Sequence, residues 1–208
     1  MDLNQFFDDL ASQKPVPGGG SASCIAATMA VALLEMVIQL SIGRGNEETI
    51  DEQFKNILQE LGKIKTRLFE LAEEDAKGYQ DVMDTLKLPK GTKQEIEYRK
   101  DAIRKAFEGA ISSPLTLMET AVDLLEWNAF ILEHGNKNAF SDAGVAFYLI
   151  QVAYEGGKMN VLINLDSIHD PSLKNFYLKR VMKIENSFNT NKQKVENQVQ
   201  PWMAAIIG

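Results

Sequence analysis

The sequence predicts an all-α fold, a single-domain helical bundle, and three observations carry that prediction. Apolar residues recur at three-and-four spacing along nearly the whole chain, as in Phe54, Ile57, Leu58, Leu61, Ile64, Leu68 and Leu71. No segment shows convincing strand alternation, and there is no internal repeat. Glycine and proline fall mainly in short clusters, the densest being Pro15-Val16-Pro17-Gly18-Gly19-Gly20. With 208 residues, 45% of them apolar, the chain can bury one substantial core. We therefore expect one domain over 1–208, built of six to eight helices.

The elements follow in order. Asp2 to Ser12 forms a short amphipathic helix with Leu3, Phe6, Phe7 and Leu10 on one side. Lys14 to Gly20 breaks the chain. Ser21 to about Ile42 is apolar on nearly all faces and belongs at the centre of a bundle or at an interface. After a break at Gly43–Asn46, Glu47 to about Leu86 is one long amphipathic helix or two in tandem. Lys87 to Gly91 connects it to a helix opened by the capping box Thr92/Glu95 and running to about Ala110. Pro114 suits a first-turn position, so a separate helix is expected from Ser113-Pro114 to near His134-Gly135. Ser141, acting as a cap before Asp142, starts a further helix toward Leu165, with Gly156-Gly157 as the place for a bend. Asp170-Pro171 opens a last polar helix through about Val199.

Bulk composition excludes several function classes. A formal charge of −7 and a pI near 5.0 argue against a nucleic-acid surface, while leaving room for a local cationic pocket. One cysteine, Cys24, and two histidines provide neither a disulfide nor a zinc site, and suit a reducing cytoplasm. The acidic, amphipathic start lacks the basic-then-apolar order of a signal peptide. Ala22–Gly43 is apolar enough to suggest a membrane span, but Glu35 near its centre favours a buried core helix.

Four segments carry candidate chemistry. Gly18, Gly19, Gly20 and Ser21 bring bare backbone N–H groups to a helix start, a place suited to an anion or a polar ligand. A flexible linker accounts for the same residues about equally well. Asn160 and Asn164 stand at i and i+4 in an apolar segment and need partners if buried; interhelical bonding is the alternative to ligand binding. Asp142, eighteen residues before Asn160, shares its face but lies about 27 Å away along a continuous helix. Unless a bend or a second subunit shortens that distance, the two act separately, and Asp142 is otherwise a first-turn carboxylate favoured by the helix dipole. Lys90 and Arg99, around Leu88-Pro89-Lys90, suit a carboxylate tail or plain solvation. Asp75 and Tyr79 form a polar pair on the long helix, and His134 and His169 fall in connectors as surface residues.

Taken together, these segments resemble the cyclodeaminase/cyclohydrolase family. It includes the C-terminal domain of formiminotransferase-cyclodeaminase and stand-alone bacterial methenyltetrahydrofolate cyclohydrolases. The resemblance rests on Pro15 to Ser21, Asp75-Ala76, Leu88-Pro89-Lys90 with Glu95 and Arg99, and Asn138-Ala139-Phe140-Ser141-Asp142-Ala143-Gly144-Val145-Ala146. It continues through Asn160 to Leu165 and Ile168-His169-Asp170, covering roughly residues 3 to 185 in family order. Departures are Ala26-Ala27-Thr28-Met29-Ala30, where the family carries more glycine, and Ser41-Ile42-Gly43-Arg44 in place of Thr-Ile-Gly-Lys.

The resemblance implies a helical homodimer with a tetrahydrofolate derivative as substrate, no metal and no cofactor, and it leaves open whether a separate formiminotransferase is a partner. No nucleic-acid or membrane partner is expected. It implies Asp142 as the leading acid/base or cation-stabilising carboxylate, with Asp75 second. Ser141, Asn160 and Asn164 would bind substrate, Lys90 and Arg99 would hold its glutamate tail, and Gly18 to Ser21 would line the cleft. The activity expected is formiminotetrahydrofolate cyclodeaminase or methenyltetrahydrofolate cyclohydrolase. The rival is a non-catalytic folate-binding or structural helical dimer.

Overall fold

The computed structural model describes residues 2–207. Its six α-helices are α1 (Leu3–Leu10), α2 (Gly19–Gln39), α3 (Glu48–Leu86), α4 (Lys93–His134), α5 (Phe140–Asp166) and α6 (Pro171–Ile207). A 3₁₀ turn at Lys137–Ala139 leads into α5, and no strand occurs among the described residues.

The four central helices close into a square. α2 packs on α3 and α5, and α4 packs on the same two from the opposite corner, with α6 laid along the outside of α4. Leu34 and Ile38 of α2, Leu61 and Leu68 of α3, Ile111 and Met118 of α4, and Phe147 and Ile150 of α5 meet inside without solvent contact or nearly so. α2 is long and apolar enough to cross a membrane, yet most of it lies inside this square. Glu35, the charge within it, faces Lys65 of α3 in an ion pair.

Side-chain caps explain three of the six helix starts. Asp2 caps α1 by accepting from the Asn4 and Gln5 amides at 2.9 and 3.2 Å. The Thr92/Glu95 capping box forms as expected: Glu95 accepts from Thr92 N–H at 2.8 Å and Thr92 Oγ1 from Glu95 N–H at 3.2 Å. Asp170 takes the Ser172 and Leu173 amides at 2.8 and 3.3 Å at the head of α6.

Four expectations are corrected. The two helices expected either side of Ser113 are one, with Pro114 inside α4. Proline lacks the N–H that would bond the carbonyl four residues back, so the Ala110 carbonyl is left without its helical partner. Asn164 of α5 supplies a substitute, donating Nδ2 to that oxygen at 3.2 Å. Ser141 is not a cap. Asn136 accepts from Asn138 N–H at 3.0 Å and starts the 3₁₀ turn, so α5 begins at Phe140 and Ser141 lies exposed within its first turn. α6 continues past Val199 through Pro201 to Ile207. His134 is the last residue of α4, its ring against Phe130 at 4.6 Å.

α5 runs unbroken through Gly156-Gly157. Those glycines serve close packing: a Cβ on Gly156 would collide with Ser23 Oγ of α2, and one on Gly157 would press on the Pro114 carbonyl of α4 at 3.1 Å. The pair therefore lets α5 approach two neighbours at once.

Candidate active site

The glycine run forms the first turn of a helix. Gly18 is the N-cap of α2 and makes no side-chain cap bond, while Gly19, Gly20 and Ser21 are its first three residues. Their N–H groups have no partner within the helix, and the positive end of its dipole is here. Asp75, on the neighbouring α3, brings its carboxylate to this end. A Cβ on Gly20 would occupy the space the carboxylate fills. The requirement for glycine at position 20 is thus steric and comes from a residue 55 positions away.

Ser21 is the second contact. Its buried hydroxyl sits between the Ala72 carbonyl at 3.2 Å and Asp75 Oδ2 at 3.5 Å. Burial pushes the Asp75 carboxyl above the usual carboxylate range, and hydrogen bonds from the Ser21 hydroxyl and backbone pull only part of the way back. Asp75 therefore stays protonated to a higher pH than a surface carboxylate does.

Asn160 completes the opposite side. Its Nδ2 lies 3.9 Å from where a Cβ on Gly19 would be, and donates to the Gly156 carbonyl at 2.8 Å. The consecutive glycines thus have Asp75 beside one and Asn160 beside the other. Asn164 lies one turn further on, and its Nδ2 bonds both the Ala110 and Asn160 carbonyls, at 3.2 and 2.9 Å. That amide nitrogen holds α4 to α5 and fixes the backbone under Asn160.

The cationic residues gather further along α3. A cavity of about 1190 Å³ opens between the end of α3, the first turns of α4 and the α5–α6 connector, with Lys90, Arg99, Lys100 and His169 in its lining. Arg99 donates Nη2 to the Leu86 carbonyl at 3.1 Å, and its Nε is buried without a partner. Arg104, also in the lining, is held by Asp101 and Glu108, each at 2.7 Å. The eleven residues from Asp75 to Leu86 correspond to about 16 Å of helix, so Asp75 and the cavity lie apart along α3. Lys100 and His169 were not among the residues singled out from sequence as tail-binding. The Ile168-His169-Asp170 segment carried a signal for one; Lys100 carried none.

Asp142 is not in this group. It lies half-buried in the first turn of α5, and the unbroken helix places it about 27 Å along the axis from Asn160. Ser141 is likewise at that far end. Among the described residues, no three His, Cys, Asp or Glu side chains cluster as a metal site.

An all-helical square with a half-buried carboxylate at a glycine-started helix end, and a cavity lined in part by Lys90, Arg99 and Lys100 further along, forms a candidate acid/base site with room for an elongated molecule. The family model for formiminotransferase-cyclodeaminase matches residues 2–183, and the chain belongs to that family. It is 30% identical over 179 residues to methenyltetrahydrofolate cyclohydrolase of Methylorubrum extorquens, covering 86% of each chain. It is 30% identical over 172 residues to formimidoyltransferase-cyclodeaminase of Gallus gallus, spanning 83% of this chain and 32% of that protein. Among solved structures, formiminotetrahydrofolate cyclodeaminase of Thermotoga maritima superposes with a TM-score of 0.88 at 28% identity, over 98% of both chains.

Proposed function

We propose that this chain is a one-carbon tetrahydrofolate enzyme working at the N5/N10 bridge. It acts either as a formiminotetrahydrofolate cyclodeaminase or as a methenyltetrahydrofolate cyclohydrolase. The observation that carries this reading is the Asp75 carboxyl, set against the first turn of α2 where burial raises it above the usual carboxylate range. In the cyclodeaminase direction N10 attacks the formimino carbon, the carbon–amine bond breaks, and the amine needs a proton to leave as ammonia. In the cyclohydrolase direction water adds to the same carbon and the bond to N5 breaks. Both pass through a tetrahedral carbon, and both use one well-placed acid.

Asp75 delivers that proton, and Asn160 orients the pterin side with its carbonyl oxygen and its remaining N–H. The first turn of α2, where Gly19 is exposed, stabilises charge that changes during the reaction. Arg99 and Lys90 hold the glutamate carboxylates, Arg99 through its unpaired Nε face. The same reading has the protein acting as a cytoplasmic homodimer, with the folate as substrate and no metal or redox group. The fused relatives support a formiminotransferase as the supplier of the formimino substrate.

The test is direct turnover by purified protein. Methenyltetrahydrofolate absorbs in the near ultraviolet. Its absorbance rises from 5-formiminotetrahydrofolate if the chain is a cyclodeaminase and decays faster than in buffer if it is a cyclohydrolase. Folate binding with no rate above buffer in either assay would favour the non-catalytic reading.

A further inference from the structure

The middle of α4 supplies no group to the chemistry above, yet both helices that do are fastened to one of its residues, Ala110. On one side α3 meets it at Gly78, where an added Cβ would lie 3.2 Å from the Ala110 Cα, tighter than side chains ordinarily pack. On the other side α5 meets it through Asn164, whose Nδ2 donates to the Ala110 carbonyl at 3.2 Å. Asp75 precedes Gly78 by three residues, and Asn160 precedes Asn164 by four. Each therefore lies one helical turn, about 5 Å, from its helix's attachment to Ala110. α3 and α5 both run antiparallel to α4, so these two turns lie side by side near the level of Pro114.

Pro114 makes this joint possible. In an ordinary helix the N–H of residue 114 would take the Ala110 oxygen; the proline ring has no N–H and crowds that oxygen instead. The oxygen is thereby left for Asn164. The amide nitrogen of Asn164 carries two N–H groups, and two carbonyls accept from it, that of Ala110 and that of Asn160 at 2.9 Å. It has no donor left for a ligand.

We propose that Pro114, Asn164 and Gly78 are positioning residues, which together fix the separation of Asp75 and Asn160 by tying both of their helices to Ala110. The proposal rests on the folate reading above and deepens it, moving Asn164 from substrate binding to the support beneath the site. The arms are short, so a shift of either helix on Ala110 reaches Asp75 or Asn160 almost undiminished. Misplacing a reacting group by about 1 Å costs on the order of 100-fold in rate. The cavity lined by Lys90, Arg99 and Lys100 lies further along α3 and α4, so substrate affinity is largely independent of the joint. The effect of loosening it falls on kcat, with KM little changed.

Pro114→Ala separates positioning from folding, because it restores a helical hydrogen bond and should melt no lower than wild type. Its kcat should nonetheless fall about 10-fold or more, within the scale of such misplacements. Gly78→Ala, which must push α3 off Ala110, should also lower kcat. Gly62→Ala on the same helix, whose Cβ meets nothing within 4 Å, should keep the wild-type rate. In an Asp75→Asn background Pro114→Ala should cost little more, because it acts through Asp75. Wild-type kcat in both Pro114→Ala and Gly78→Ala, a full multiplicative loss in the Asp75→Asn background, or Asn164→Ala that raises KM alone would overturn the proposal. A second readout needs no turnover: the Asp75 carboxyl, raised by burial, titrated by NMR of ¹³C-labelled aspartate. Pro114→Ala and Gly78→Ala should lower its midpoint and Gly62→Ala should not; a midpoint unmoved in the first two overturns the positioning. Midpoints that shift in a protein whose wild type turns over neither folate overturn the folate reading instead.

Discussion

The Asp75 carboxylate of α3 occupies the space a side chain on Gly20 of α2 would need. A helix start and a titrating group are thereby fitted to each other, so a change in either acts on both. Gly20→Ala should displace the carboxylate and cost turnover on the order of 100-fold, the scale of misplacing a reacting group by about 1 Å. Gly19→Ala, whose Cβ reaches only ordinary contact with Asn160 at 3.9 Å, should leave the thermal midpoint nearly unchanged. Steady-state rates and melting curves of the two variants make the comparison.

Burial raises the Asp75 carboxyl above the value it has in the unfolded chain, so the native state binds more protons between the two. Stability therefore falls as pH rises through that interval, and the penalty is fully present above it. Asp75→Asn removes the penalty. The variant should melt higher than wild type at neutral pH, with the gap closing as pH drops into the ordinary carboxylate range. Melting curves across that range check the sign.

Asn164 satisfies a carbonyl that Pro114 cannot. Asn164→Ala should cost about 1–3 kcal/mol by leaving the Ala110 oxygen short of a partner. In a Pro114→Ala background, residue 114 regains its N–H and the same substitution should cost less. A double-mutant cycle by chemical denaturation reads the coupling.

Gly156 and Ser23 set the spacing of α5 and α2. Gly156→Ala should overpack the contact by about 1–3 kcal/mol. Adding Ser23→Ala removes the hydroxyl it strikes and should recover part of the loss, which denaturation midpoints of the single and double variants would show.

Much of the fold was legible in the sequence because helical spacing, the Thr92/Glu95 box and Asp170-Pro171 act locally. The continuity of α4 was not, because Pro114 is a stop signal until a side chain fifty residues later repairs its missing bond. The start of α5 moved because Asn136, five residues before Ser141, opens a 3₁₀ turn that feeds straight into it. At the site, Gly18 to Ser21, Asp75 and Asn160 were each visible as candidates. Which of them meet was not, since Gly20 and Asp75 touch only through tertiary packing. Asp142 led the ranking from family likeness, while the single chain brings Asp75 to the glycines and leaves Asp142 at the far end of α5. His169, a surface residue by sequence, lies in the lining of the cationic cavity.

The central claim is that Asp75 supplies the proton for one-carbon chemistry at the N5/N10 bridge. The most direct measurement is the near-ultraviolet absorbance of methenyltetrahydrofolate, followed with wild-type and Asp75→Asn protein on both candidate substrates. The account predicts that wild type forms or consumes the methenyl compound far above the buffer rate. It also predicts that folded Asp75→Asn is slower by about 100-fold or more. Wild-type protein no faster than buffer on either folate, or Asp75→Asn at the wild-type rate, would contradict it.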